Sequence, residues 1–273
     1  MGSIKQVLVH IDDSPAAAQR LKLARRIAAS HGGAVTALYG VEATEAEVPF
    51  AADVTTATWN AVRDVDALRK AAAMASFEIA LAQAPGGPVE WTEVADGPVN
   101  AAFAQHALYA DLTILPQHNR HEGDPTGVPV DLVETVVIGA GRPALVVPYI
   151  GWSEPVGNVV AIAWKPTREA MRAVRAALPL LRQAREVHVV VWGEDAPPGL
   201  QAWLEVRGID ATWHRDPTQP ALIGEAILTS VADLDCDLLV MGCYSRSRAS
   251  EWAFGGATRT ILDSMTIPVV MAH

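Results

Sequence analysis

The sequence predicts an α/β protein made of two tandem open parallel sheets, doubly wound and packed on each other as a pseudo-dimer. Three observations predict it. Short apolar runs such as Ile4–Ile11 (IKQVLVHI) and Asn158–Trp164 (NVVAIAW) carry no polar alternation, which marks strands covered on both faces. Ala- and Leu-rich stretches of helical character separate these runs, and strand–helix alternation builds a parallel sheet through right-handed crossovers. The whole order then occurs twice along the 273 residues, the mark of an internal repeat.

Taken in order, Ile4–Ile11 is the first strand, and Asp-Asp-Ser-Pro leads into a helix ending near Ser30. Asp13 or Ser14 before Pro15 is a helix-start signal, because Pro at the first helical position is pre-organised. In the second copy Asn158–Trp164 is the first strand, Thr167 is the cap, and the helix runs to about Ala184. Val35–Val41 answers to Val187–Trp192, Asp111–Leu115 (DLTIL) to Asp237–Met241 (DLLVM), and Arg142–Pro148 to Ile267–Ala272. Asp12 and Lys165 lie 153 positions apart but Pro143 and Pro268 only 125, so the first copy carries 28 extra residues. Glu42–Val62 and a longer helix over Arg63–Gln83 account for them. Pro148–Gly157 is the linker, and the domains are 1–150 and 155–273. The two final strands are apolar, and an open apolar edge invites pairing. Ala144–Pro148 is therefore expected beside Pro268–Ala272.

Composition narrows the function. Half the residues are hydrophobic, ample for buried cores. The formal net charge of −10 argues against a nucleic-acid surface, which needs clustered Lys and Arg. It does not exclude a small anion held by local amides. Cys236 and Cys243 flank a strand that would hold them roughly 20 Å apart, too far for a disulfide. With no apolar run of spanning length, the chain reads as cytoplasmic and without a membrane partner.

The most informative stretch is Met241–Leu262, MGCYSRSRASEWAFGGATRTIL, which follows an apolar run and leads into a helix. Together with the Val7–Ser14 strand–Asp-Asp-Ser start and the duplicated architecture, it resembles the tandem form of the universal stress protein family over almost the whole chain. That family's sheets are of the adenine-nucleotide-hydrolase-like kind. Its nucleotide loop is Gly, two residues, Gly, nine residues, Gly, then Ser or Thr. Here Gly242 is followed at the same spacing by Ser245, then Gly255 and Gly256. The second Gly has become Ser and the final hydroxyl residue has become Gly.

The resemblance implies an adenine nucleotide such as ATP, or another anion, in the second copy. Gly242, Ser245, Gly255, Gly256 and Thr258 would supply amides and hydroxyls, and Lys165 would add charge. Glycines admit close backbone approach, and helix N-termini favour anions. Arg246 and Arg248 read as a solvated loop face that would add to such a site. Neither copy has the family's complete set. The second places Lys165 where the family has an Asp. The first keeps Asp12 but has Pro116 in the place of Gly242, with Val130 and Asp131 near the Gly255–Gly256 positions. Pro lacks a donor amide and Asp repels phosphate, so Asp12 reads as part of a helix-capping cluster.

Two further features read as ordinary structure. His118, His121, Glu122 and Asp124 read as polar surface, since zinc needs three or four ligands in tetrahedral geometry. Cys243 reads as a small buried hydrophobe. No Ser-His-Asp order, paired catalytic carboxylates or GxxxxGK[ST] loop is present in the sequence. The expected function is a non-catalytic stress-response module that binds a nucleotide or small anion, works with a protein partner and can dimerise further. The alternatives are a slow ATP-hydrolysing enzyme using the second loop and a purely structural interaction module.

Overall fold

A computed structural model describes residues 3–42, 56–83, 86–94, 97–119, 127–192, 198–217, 223–243 and 256–273. The chain forms two compact units, Ile4–Ala140 and Gly141–His273.

The first unit holds β1 (Gln6–Ile11), α1 (Ala17–Ser30), β2 (Ala34–Tyr39), α2 (Thr56–Gln83), β3 (Val89–Glu93), α3 (Val99–Ala107), β4 (Leu112–Pro116) and α4 (Leu132–Ala140). Its strands run in the order β3-β2-β1-β4, and the described pairings among them are parallel. The order reverses at β1, so the ends of β1 and β4 form the crevice in which open α/β sheets place ligands. The extra residues of the first copy lie largely in α2, 28 residues long.

The second unit begins with β5 (Ala144–Val147). It continues through β6 (Val159–Trp164), α5 (Arg168–Leu181), β7 (Glu186–Trp192), α6 (Pro198–Glu205), β8 (Thr212–Asp216), α7 (Ile223–Asp233), β9 (Leu238–Gly242), α8 (Gly256–Ser264) and β10 (Val269–Ala272). The order is β5-β10-β9-β6-β7-β8. Here β5 runs antiparallel to β10, with Val146 opposite Val269 and Ala144 opposite Met271, which covers the edge of β10.

The repeated Asp before β4 and β9 has a structural reason. Asp111 Oδ2 accepts the amides of Lys5 (2.7 Å) and Gln6 (3.0 Å) at the start of β1. Asp237 accepts those of Gly157 (2.6 Å), Asn158 (2.9 Å) and Val159 (3.1 Å) at the start of β6. In both units the carboxylate satisfies amides that the incoming strand would otherwise leave unpaired.

One helix start departs from expectation. Thr167 caps α5, its Oγ1 accepting the amide of Ala170. In contrast, α1 begins at Ala17 behind Ala16 with no side-chain cap, because Ser14 gives its hydroxyl and its amide to Asp12. Among the described residues, no helix is long and apolar enough to cross a membrane.

Candidate functional site

In the second unit, β6 and β9 are parallel neighbours with Ala163 beside Met241. One step along that register brings Trp164 alongside Gly242, and the exposed Lys165 follows at the same strand end. Trp164 is buried, and its indole Nε1 has no hydrogen-bond partner among the described residues. Helix α8 starts at the exposed Gly256, where an added Cβ would meet none of the described residues within 4 Å. Its first amides are the feature that favours an anion. Thr258, in the first turn of α8, is buried. Ser245 and Gly255, with Arg246 and Arg248, lie outside the described residues.

Gly242 has a packing reason to be glycine, separate from any phosphate. A Cβ there would lie 2.4 Å from the Ala170 nitrogen and 2.7 Å from the Glu169 carbonyl carbon. The first turn of α5 therefore rests directly on the end of β9. Glu169, on that turn, is buried and takes a 2.5 Å hydrogen bond from Arg168 Nε. Burial pushes its pKa up, but Arg168, its own backbone amide and Thr167 together outweigh this and leave it below the usual range. A carboxylate on a helix N-terminus satisfies the dipole from within. Its sequence signal, an acidic residue in the first turn, is common to many surface helices.

The equivalent end of the first unit is closed by an internal network. Asp12 is 1% exposed. Its Oδ2 lies 2.7 Å from Arg20 Nη2 and 3.5 Å from His10 Nδ1. Its Oδ1 accepts the Ser14 hydroxyl at 2.5 Å and the Ser14 amide at 3.0 Å. Burial alone would raise its pKa; Arg20, with His10 and Ser14, holds it instead at about 2. Arg20 also donates to the His10 carbonyl, and His10 packs on Phe103. Asp12 thus serves as the counter-ion of a buried arginine. Pro116 is buried at the end of β4, and Asp131 precedes α4, accepting from Asn100 Nδ2 and Thr135 Oγ1. Sequence reasoning missed Arg20. The available signal was a cation at a position α1 turns inward, among Ala17, Leu21 and Ala24, with Arg25 a second buried cation on the same helix.

Cys243 is buried beside Gly242, and neither it nor Cys236 is in a disulfide. His118 is half-buried, while His121, Glu122 and Asp124 lie outside the described residues. Among the described residues no group of three His, Cys, Asp or Glu is arranged to hold a metal.

The universal stress protein family model matches residues 3–125. A solved universal stress protein from Archaeoglobus fulgidus DSM 4304 is 14% identical, with 98% of this chain and 95% of that chain covered and a TM-score of 0.68. A putative universal stress protein from Pseudomonas aeruginosa UCBPP-PA14 is 15% identical, with 99% and 93% covered and a TM-score of 0.57. At these identities the likeness is one of fold, and it extends over both units. No curated protein sequence matches the chain. Residues 3–125 are thus similar to the universal stress protein family, and the likeness of fold continues through the rest of the chain.

Proposed function

We propose that the protein is a stress-response module of the cytoplasm that binds a nucleotide or small anion in its second unit and does not turn it over. The ligand would lie at the ends of β6 and β9, against the amides of Gly256 and its neighbours, with Lys165 adding charge. The observation that carries this reading is the Trp164 indole N–H, buried at that strand end without a partner among the described residues. An unsatisfied buried donor costs about 1–3 kcal/mol, and a ligand acceptor would remove that cost. The exposed start of α8, where no described residue crowds Gly256, supports the same place. Catalysis is not part of the proposal. Phosphoryl transfer needs a metal holder and a group that positions the nucleophile, and Lys165 stands where the family has its Asp.

Titration calorimetry with ATP tests this, alongside mass spectrometry of small molecules released from protein purified from cells. At most one site per chain is expected. Gly256→Asp should remove it by placing a carboxylate at the α8 N-terminus. Trp164→Phe should weaken it without unfolding the unit, and Asp12→Asn should leave it unchanged. Binding lost in Asp12→Asn and kept in Gly256→Asp would put the ligand in the first unit.

A second reading is a structural interaction module with no ligand. The buried Glu169 carboxylate favours it, because it places a negative charge on the α5 turn whose backbone rests on Gly242, which opposes an incoming anion. Absence of ATP binding in both wild type and Glu169→Gln, with no co-purified nucleotide, would establish that reading.

A further inference from the structure

Helix α2 buries one side through Val62, Ala73 and Ala80. A flank roughly a third of a turn away from that side carries Ala61, Val65, Leu68, Ala72, Ala75, Ile79 and Ala82, and all seven are exposed, Leu68 to 71%. Their spacing is 4-3-4-3-4-3, a repeat of 3.5. A helix facing only its own core needs a broad 3.6 stripe. A strict 3.5 seam is what a second helix running alongside requires. No charge interrupts the seven positions over three heptads.

We propose that this seam is a homodimer interface in which α2 packs antiparallel against α2 of a second copy of this chain, about a two-fold axis level with residue 70. The sizes of the seam residues select both partner and register. In an antiparallel pair the two seam rows face each other, so contacting positions share a constant sum. With that sum at 140, Val65 meets the partner's Ala75, Leu68 the partner's Ala72, and Ile79 the partner's Ala61. Each large side chain then lies against an alanine, and the same contacts recur across the axis, as a two-fold interface demands. Shifting by one heptad in either direction puts large against large, Val65 on Leu68 or Leu68 on Ile79, and alanine against alanine elsewhere. A surface complementary to itself in one register identifies another copy of the chain as the occupant. The rim adds a signature. Asp64 and Glu78 flank the seam on one side and face each other across the pair. Their repulsion is screened by salt, so the dimer tightens as ionic strength rises.

Sedimentation equilibrium of the full chain tests the proposal. Wild type is expected to dimerise more tightly at 0.5 M than at 0.05 M salt, values chosen to span about 14 to 4 Å of screening length. Leu68→Glu should raise the dissociation constant at least about tenfold, as for a charge at an interface centre, with helix content by circular dichroism unchanged. Cysteine cross-linking tests the register. Ala71→Cys lies beside its own symmetry mate and should form a disulfide dimer. Ala82→Cys should not, because the axis separates the two copies by roughly 36 Å at 1.5 Å per residue. A chain that stays monomeric, a dimer indifferent to Leu68→Glu, or efficient cross-linking at both positions, as parallel pairing gives, would each overturn it.

Discussion

Replacing Asp12 by Asn keeps the shape of the side chain and removes the charge facing Arg20. The structure sets the magnitude. The carboxylate is essentially fully buried and its pKa is held at about 2, against an unperturbed 3.8. That difference of nearly two units corresponds to about 2.5 kcal/mol favouring the folded state once the group is ionised. Removing one partner of a buried pair also leaves the other charge uncompensated, so the expected cost at pH 7 is about 3 kcal/mol, the low end for such pairs. The pH dependence follows from the sign of the shift. Because the folded pKa is depressed, the stabilisation is fully present above the unfolded value of about 4 and lost as pH falls towards 2. The wild-type advantage should therefore be flat from pH 7 to 5 and shrink steadily between pH 4 and 2. Amide exchange at Leu8–Ile11 in β1 is the suitable assay, since it reports the first unit whether or not the two units unfold together. Arg20→Met in the Asp12→Asn background should restore much of the loss, because no buried charge then lacks its partner. A cost below about 1 kcal/mol at pH 7, or one that does not change between pH 5 and 2, would refute the counter-ion role.

Three other outcomes follow from the same geometry. Gly242→Ala forces a methyl into the α5 backbone at 2.4 Å and should lower the urea midpoint by an amount equivalent to about 1–3 kcal/mol, whether or not a ligand binds. Asp237→Ala strips acceptors from three strand amides and Asp111→Ala from two, so the former should be costlier, by roughly 1 kcal/mol; equal costs in urea titrations would count against the shared role. The Cys236 thiol is pushed up to about 12 by burial, with the carboxylates of Asp237, Asp235 and Glu186 adding to it, so it should resist iodoacetamide at pH 8 in the native chain and react only on unfolding.

Eight strands were legible because each is a short, mainly apolar run, and burial is what such a run needs; β3 (VEWTE) and β8 (TWHRD) were not, since neither is an apolar run or holds a buried position. β6 is buried at all six positions and β10 at all four. The cap at Thr167 was legible for a local reason, since its acceptor and its target lie within one turn. The start of α1 was not, although Asp13, Ser14 and Pro15 carry the right chemistry. There the hydroxyl is claimed by Asp12, whose geometry depends on Arg20 reaching back from the second turn of α1. Gly242 was legible as a glycine with a purpose. The sequence could not separate close approach to a phosphate from close approach to α5, since both require the missing Cβ. The outward seam of α2 lies in plain view as a 3.5 spacing. Its meaning depends on exposure, which only the packing of Val62, Ala73 and Ala80 reveals.

The two units have answered one electrostatic problem in different ways. A helix start beside the end of a parallel strand presents unpaired amides and a positive dipole, which need a negative partner. In the first unit the chain supplies it. Asp131 stands immediately before α4, and the Asp12 charge is neutralised by Arg20 rather than left for a ligand. In the second unit Glu169 supplies it to α5, while α8 opens with the exposed Gly256. The family match falls on residues 3–125, which is the half whose crevice is closed from within. The family match and the exposed start of α8 therefore lie in different halves of this chain. A ligand assignment carried across from the matched half would place the nucleotide beside Asp12, where the carboxylate has no free oxygen to offer it.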